Sequence, residues 1–229
     1  MRSFFLFYLL SSLFRSPLLA LVVVGLIFYF GEARYSGRYF SPAKFVSKKR
    51  TITELEQRLS MNEHDMDAHN DIGRLLVKDG RGREALVHLE RAVGRMQDSA
   101  ETSYYYGLCL LEAGRREEGE AQIRRALEIN PRFAYGDPHL ALARSGLEAG
   151  RTHEAAEEAA NATRLNTSSV EGWVLLGRAK QAAGDTAAAL AAYDSALEAF
   201  ACLPRYLRLP NRRHLREAKK ARRGVQSRS

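Results

Sequence analysis

The chain has 229 residues, a length for one or two domains, and its 45% apolar content suffices for a core. Its two cysteines, Cys109 and Cys202, stand far apart and outside any C-x-x-C, which excludes a disulfide framework and a cysteine zinc site. The net charge of +8 is uneven: residues 51–203 hold 17 basic against 25 acidic residues, while 204–229 hold ten Lys/Arg against Glu217 and 31–50 hold six against Glu32. A mildly acidic centre flanked by two basic segments points to a membrane or polyanion contact at the flanks.

The first element in chain order is apolar. Residues 17–30 (PLLALVVVGLIFYF) carry no charge, but fourteen helical residues rise only about 21 Å. Extension back to Leu13, with Arg15 snorkelling, gives about 18 residues and a span. A continuous span over 4–30 would bury Arg15 at the midplane, at high cost. Phe4, Phe5, Phe7 and Tyr8 suit the interface instead. Residues 1–35 are therefore expected to be a retained transmembrane anchor. The competing reading is a signal peptide cleaved after Ala33, disfavoured because the stretch before Arg15 is apolar where a signal would be basic. Arg34, Arg38, Lys44, Lys48, Lys49 and Arg50 lie beyond the span, against Arg2 and Arg15 before it, so the bulk of the chain is expected on the cytoplasmic side.

Residues 36–50 read as a basic juxtamembrane linker. Thr51 or Thr53 can cap a following helix that carries Ile52, Leu55 and Leu59 on one face. Beyond Asn62 the pattern becomes periodic. Gly80, Gly114, Gly150 and Gly184 stand 34, 36 and 34 residues apart. Each follows one helical run and precedes an alanine-rich second one, so each is placed to end a helix in the left-handed conformation.

The units carry further matching residues. The last has Trp173, Leu176-Gly177, Ala189, Tyr193 and Ala196; the second has Tyr106-Gly107, Ile123, Ala126 and Pro131. The first has Ile72-Gly73, Ala85, Leu89 and Ala92. The third, with Leu142-Ala143, Ala155, Ala159 and Ala162, is the most degenerate and has two extra residues near Gly136-Asp137. This pattern resembles the tetratricopeptide repeat (TPR) family. The resemblance implies an all-α fold: a right-handed helical-repeat solenoid of about four helix pairs, preceded here by the transmembrane helix. The units read as 66–99, 100–133, 136–169 and 170–203, within a domain over 51–203.

No residue set announces catalysis, a metal or a cofactor. His64 and His69 point to different helical faces, Glu84 and His88 lack a second pair, and His139, His153 and His214 fall in separate units. Cys109 and Cys202 read as small buried hydrophobes, and Trp173 as a packing residue. The sequons at Asn161 and Asn166 matter only in a secretory lumen. Stacked helical repeats bind partners on the face lined by their first helices. By helical period the groove residues are Asp67, Asn70, Asp71, Arg74 and Lys78; Glu101, Tyr104, Tyr105, Leu108 and Glu112; Asp137, Arg144 and Glu148; and Glu171, Arg178 and Gln181. Tyr104, Tyr105 and Leu108 are expected to form an exposed apolar patch. Some members of the resembled family clamp chaperone tails with Lys and Asn residues. Here arginines recur on that face and the asparagines are absent, so the resemblance implies no such clamp.

The tail 204–229 is expected either to cap the last unit through Leu215 and Ala218 or to touch anionic lipid. Arg212, Arg213, Arg216, Lys219, Lys220, Arg222 and Arg223 would be its solvated cations. Nucleic acid is disfavoured, because no aromatics interleave with them. The expected function is a non-catalytic, membrane-anchored scaffold for a protein or peptide partner. The alternatives are an assembly factor on the outer side of a bacterial inner membrane, as in cytochrome maturation or envelope assembly, and an enzyme.

Overall fold

The computed structural model describes residues 42–227 together with Val23. The expected anchor, 1–35, lies outside the described residues apart from Val23. Among the described residues no helix is long and apolar enough to cross a membrane. Among the described residues, 43–203 and 211–227 belong to one compact unit. Ten α-helices and no strand occur among the described residues.

Helix α1 (Pro42–Met61) begins well before the expected cap at Thr51 or Thr53. Residues 42–50, read as linker, are therefore helical. Lys and Arg are good helix formers and nothing after Pro42 breaks the run. Ile52 and Leu55 are buried, and Leu55 joins the core of the first pair.

Four helix pairs follow: α2 (Met66–Lys78) with α3 (Gly82–Val93), α4 (Ala100–Glu112) with α5 (Arg116–Ile129), α6 (Asp137–Glu148) with α7 (Thr152–Leu165), and α8 (Val170–Ala182) with α9 (Thr186–Cys202). Helix α10 (Arg205–Gln226) ends the series. Each pair turns at its periodic glycine, with φ of +75°, +82°, +74° and +83° at Gly80, Gly114, Gly150 and Gly184. Asp65, Ser99 and Ser169 cap the first helices of the first, second and fourth pairs by accepting from Ala68, Thr102 and Gly172 backbone N–H groups. At the corresponding place in the third pair stands Tyr135. A 3₁₀ turn over Phe133–Gly136 absorbs the two extra residues there. Ala134, Tyr135 and Gly136 all take positive φ, and no side chain caps α6.

The two helices of a pair touch through a small residue and a partner sixteen positions on. A Cβ on Gly73 would lie 2.5 Å from Leu89 Cγ, and one on Gly177 would lie 2.5 Å from Tyr193 Cε1. Leu89, Ile123 and Tyr193 are fully buried and seated against Gly73, Gly107 and Gly177, whereas the third pair sets the buried Ala143 and Ala159 at these places. Consecutive first helices touch one another, while each second helix touches its own first helix and the next. The first helices therefore line the inner face of the stack.

The second and third pairs meet through a polar contact. Glu120 on α5 is 5% exposed. It accepts from Ser145 Oγ at 2.5 Å and pairs with Arg151, with Arg124 at 3.5 Å from its other oxygen. Burial alone would raise this carboxyl; the hydrogen bonds from Ser145 and Arg151 and the two guanidinium charges outweigh it and hold it below its ordinary range. Leu86, Ala156 and Leu190 stand at the corresponding places in the other pairs.

Candidate functional site

The inner face carries a ladder of charge built from the repeat spacing. Asp67, Glu101, Asp137 and Glu171 stand at the start of the first helices, and Arg74, Leu108, Arg144 and Arg178 stand two turns later. Each arginine reaches the acid of the next first helix. Arg74 lies 3.2 Å from Glu101, and it also holds Asp71 at 3.0 Å within its own helix. Arg144 lies 3.0 Å from Glu171. Arg178 continues the series onto α10, 3.2 Å from Glu217. The second rung is missing: Leu108 takes the arginine's place, and Asp137 has no ion pair among the described residues. Partial burial and the charge of Glu171 raise the Asp137 carboxyl above its ordinary range, against the pull of Arg144.

At this missing rung the face opens into a cleft of about 290 Å³ between α4 and α6. Leu108, Leu111 and Ala141 supply its apolar part; Glu112, Arg116, Arg144 and Glu148 supply its charged part. Arg116 and Glu148 stand 3.8 Å apart across it. A second cleft of about 360 Å³ lies beyond Arg144, lined by Glu171, Val174, Arg178, His214 and Glu217. Leu111, Arg116 and Ala141 were not singled out from sequence. Leu111 and Ala141 read there as ordinary helical apolar residues, and Arg116 sits on a second helix.

Two tetratricopeptide-repeat family models match the sequence, one over residues 76–144 and the other over 140–206. This chain contains tetratricopeptide repeats. Its fold is shared by solved TPR-type structures. A MamA protein gives a TM-score of 0.62 at 16% identity, covering 76% of this chain and 92% of that one. MamA 41-end from Desulfovibrio magneticus RS-1 gives 0.54 at 14%, covering 71% and 93%. YrrB, a TPR protein described as having an unusual peptide-binding site, gives 0.54 at 16%, covering 73% and 88%. At these identities the likeness is one of fold. No curated protein matches the sequence.

The TPR stack places the remaining expected groove residues unequally. Tyr104 is buried, 9% exposed, rather than presented in a patch. Phe133, from the inserted turn, packs edge-on against it at 5.5 Å, and Tyr105 lies beside it at 5.3 Å. Burial pushes its phenol up. Tyr105 is half-buried under Lys78, whose Nζ sits 5.2 Å from the ring centroid. Asn70 accepts from Thr102 Oγ1 at 2.9 Å and so ties α2 to α4. Gln181 accepts from Tyr193 Oη at 2.8 Å. Asp67 and Glu112 are exposed.

Outside the groove, Trp173 is half-buried and donates from Nε1 to the Thr167 carbonyl at 2.9 Å. Cys109 is buried, and burial raises its thiol to about 12; Cys202, expected to be buried as well, is exposed at the end of α9. His69 and His88 face each other with Nδ1 atoms 2.9 Å apart, and His139 meets Glu158 at 2.6 Å. Among the described residues no group of three or more His, Cys, Asp or Glu is placed to hold a metal ion.

Proposed function

We propose that this chain is a non-catalytic TPR scaffold that binds a protein or peptide partner along its inner face, with the missing rung at Leu108 and Asp137 as the principal contact. The supporting observation is that each arginine of the ladder reaches an acid of the following element, whereas at this rung Leu108 leaves Asp137 without an ion pair among the described residues and opens onto a cleft that is part apolar and part charged. A peptide offering a cation next to a small apolar side chain would complete it. The peptide-binding description of the structural neighbour YrrB agrees with this use of the fold.

The test is to close the rung. Peptides selected from a random displayed library on the full-length protein should bind Leu108→Arg at least about tenfold more weakly, because the new guanidinium competes for Asp137 and fills the cleft. The melting temperature should be unchanged or higher. Undiminished binding by the variant would remove this contact, and a library that yields no binders would remove the whole reading.

The scaffold is held at a membrane by residues 1–35, and the Lys/Arg imbalance favours the cytoplasmic side. The full-length chain should therefore stay with membranes through a high-salt wash. Its recovery in the supernatant would sink the anchor, and a mature protein starting at Arg34 would make the segment a cleaved signal.

A further inference from the structure

Helix α10 has two opposed faces. Ala218 and Val225 are buried in the core of the last pair, with Val170, Val174, Ala189 and Tyr193. Beside that seam the charged residues turn inward: Glu217 meets Arg178 at 3.2 Å, His214 lies 3.8 Å from Glu171, and Arg222 reaches Asp194 at 2.6 Å. Arg222 thus belongs to the inner side and not to the solvated set expected from sequence. The six remaining cations, Arg212, Arg213, Arg216, Lys219, Lys220 and Arg223, are all exposed, and none is ion-paired among the described residues. At about 100° per residue they fall within roughly a third of the helix circumference, centred opposite the seam. They run along about 16 Å of helix.

From this arrangement we infer that the outer face of α10 is a docking surface for the anionic headgroups of a lipid bilayer. A stripe of six unpaired like charges gains nothing from the fold, since each side chain repels its neighbours. The seam fixes the stripe in one orientation: Arg213 and Lys220, at its edge, border the clefts beside Glu217, while Arg212, Arg216, Lys219 and Arg223 lie farther from the acidic stack that would otherwise neutralise them. A bilayer surface is flat on this scale, so anionic headgroups can gather under all six cations at once. No aromatic side chain stands among the six, so the stripe offers nothing for bases to stack on. The uncharged run 17–30 and the cations of 34–50 add a second, independent reason to expect this chain at a bilayer. The inference extends the membrane reading above without depending on the anchor.

Hydrogen exchange of the full-length chain on vesicles separates the possibilities. On vesicles of roughly one-third phosphatidylserine, amides of 211–226 should exchange about tenfold more slowly than on pure phosphatidylcholine vesicles, because headgroup contact suppresses local opening. High salt should reverse the protection, and α2 to α9 should not respond. A variant with Gln at all six positions keeps helix propensity and should lose the effect. Equal exchange on the two vesicle types would overturn the proposal. Protection persisting in the Gln variant would do the same, and would move the contact to the cations of 34–50. Stronger protection by a short DNA duplex would make the stripe a nucleic-acid surface, and salt-sensitive protection without lipid would make it a contact between copies. Binding to neutral vesicles reports the anchor separately, so each reading can fail alone.

Discussion

Replacing Gly107 by alanine should lower the stability of the repeat stack by about 3 kcal/mol, although it adds a single methyl group. A Cβ at this place would stand 2.7 Å from the Gly119 carbonyl oxygen and 2.6 Å from Ile123 Cγ1. The obstruction is mutual, since a Cβ on Gly119 would stand 2.8 Å from the Gly107 carbonyl. Backbone cannot swing aside as a side chain can. The methyl must therefore push α4 and α5 apart along their whole contact and loosen Ile123 and Ala126, which are fully buried. Gly80→Ala provides the comparison. Its φ is +75° but nothing lies within 4 Å of the added carbon, so only the backbone preference of about 1 kcal/mol is lost. Denaturant midpoints of the two variants should differ accordingly. Equal losses would mean that helix approach at Gly107 is not what limits stability.

Tyr193→Ala should cost about 4 kcal/mol. The ring is wholly buried and fills the notch above Gly177, and its removal leaves a hole that two stiff helices cannot close. The hydroxyl contributes less. It donates to the exposed Gln181, and burial raises the phenol to about 12, so it stays protonated throughout the neutral range. Tyr193→Phe should thus lose only about 1 kcal/mol. Thermal unfolding of both variants decides between volume and hydrogen bond. A Phe variant as weak as the Ala variant would give the hydroxyl the larger part.

The helix pairs were legible because one requirement, a left-handed residue after each first helix, admits almost only glycine. Gly80, Gly114, Gly150 and Gly184 therefore keep the period in plain view. Burial across the stack was less legible. Tyr104 lies on the inner face by helical period, yet Phe133 covers it from a turn whose path depends on two inserted residues. Glu120 sits among charges in sequence, where nothing marks it as buried. Its burial depends on Ser145 and Arg151, 25 and 31 residues away. The ladder was half visible: Arg74, Arg144 and Arg178 recur at one place in the repeat. The meaning of Leu108 emerges only once each arginine is seen to serve the acid of the following unit. The inward turn of Arg222 likewise needed Asp194 on α9, because helical period alone does not say which side of a basic helix meets the stack.

The polar contact at Glu120 gives the array an uneven cooperativity. In a linear stack each unit is coupled only to its neighbours, and the whole melts together only if every coupling is strong. The register-equivalents of Glu120 are apolar and it is the only buried carboxylate among the described residues, so its seam is the one with a buried contact that depends on protonation. Its folded-state pKa lies below the ordinary 4.5. The contribution is therefore complete above that value and is lost as pH falls through the depressed one. The uncapped start of α6 and the left-handed turn before it lie at the same seam. In acid the array should therefore divide there, α2 to α5 melting as one block and α6 to α9 as another; two thermal transitions at low pH that merge into one near neutrality are the expected result, and a single transition at both would mean that the seam does not depend on Glu120.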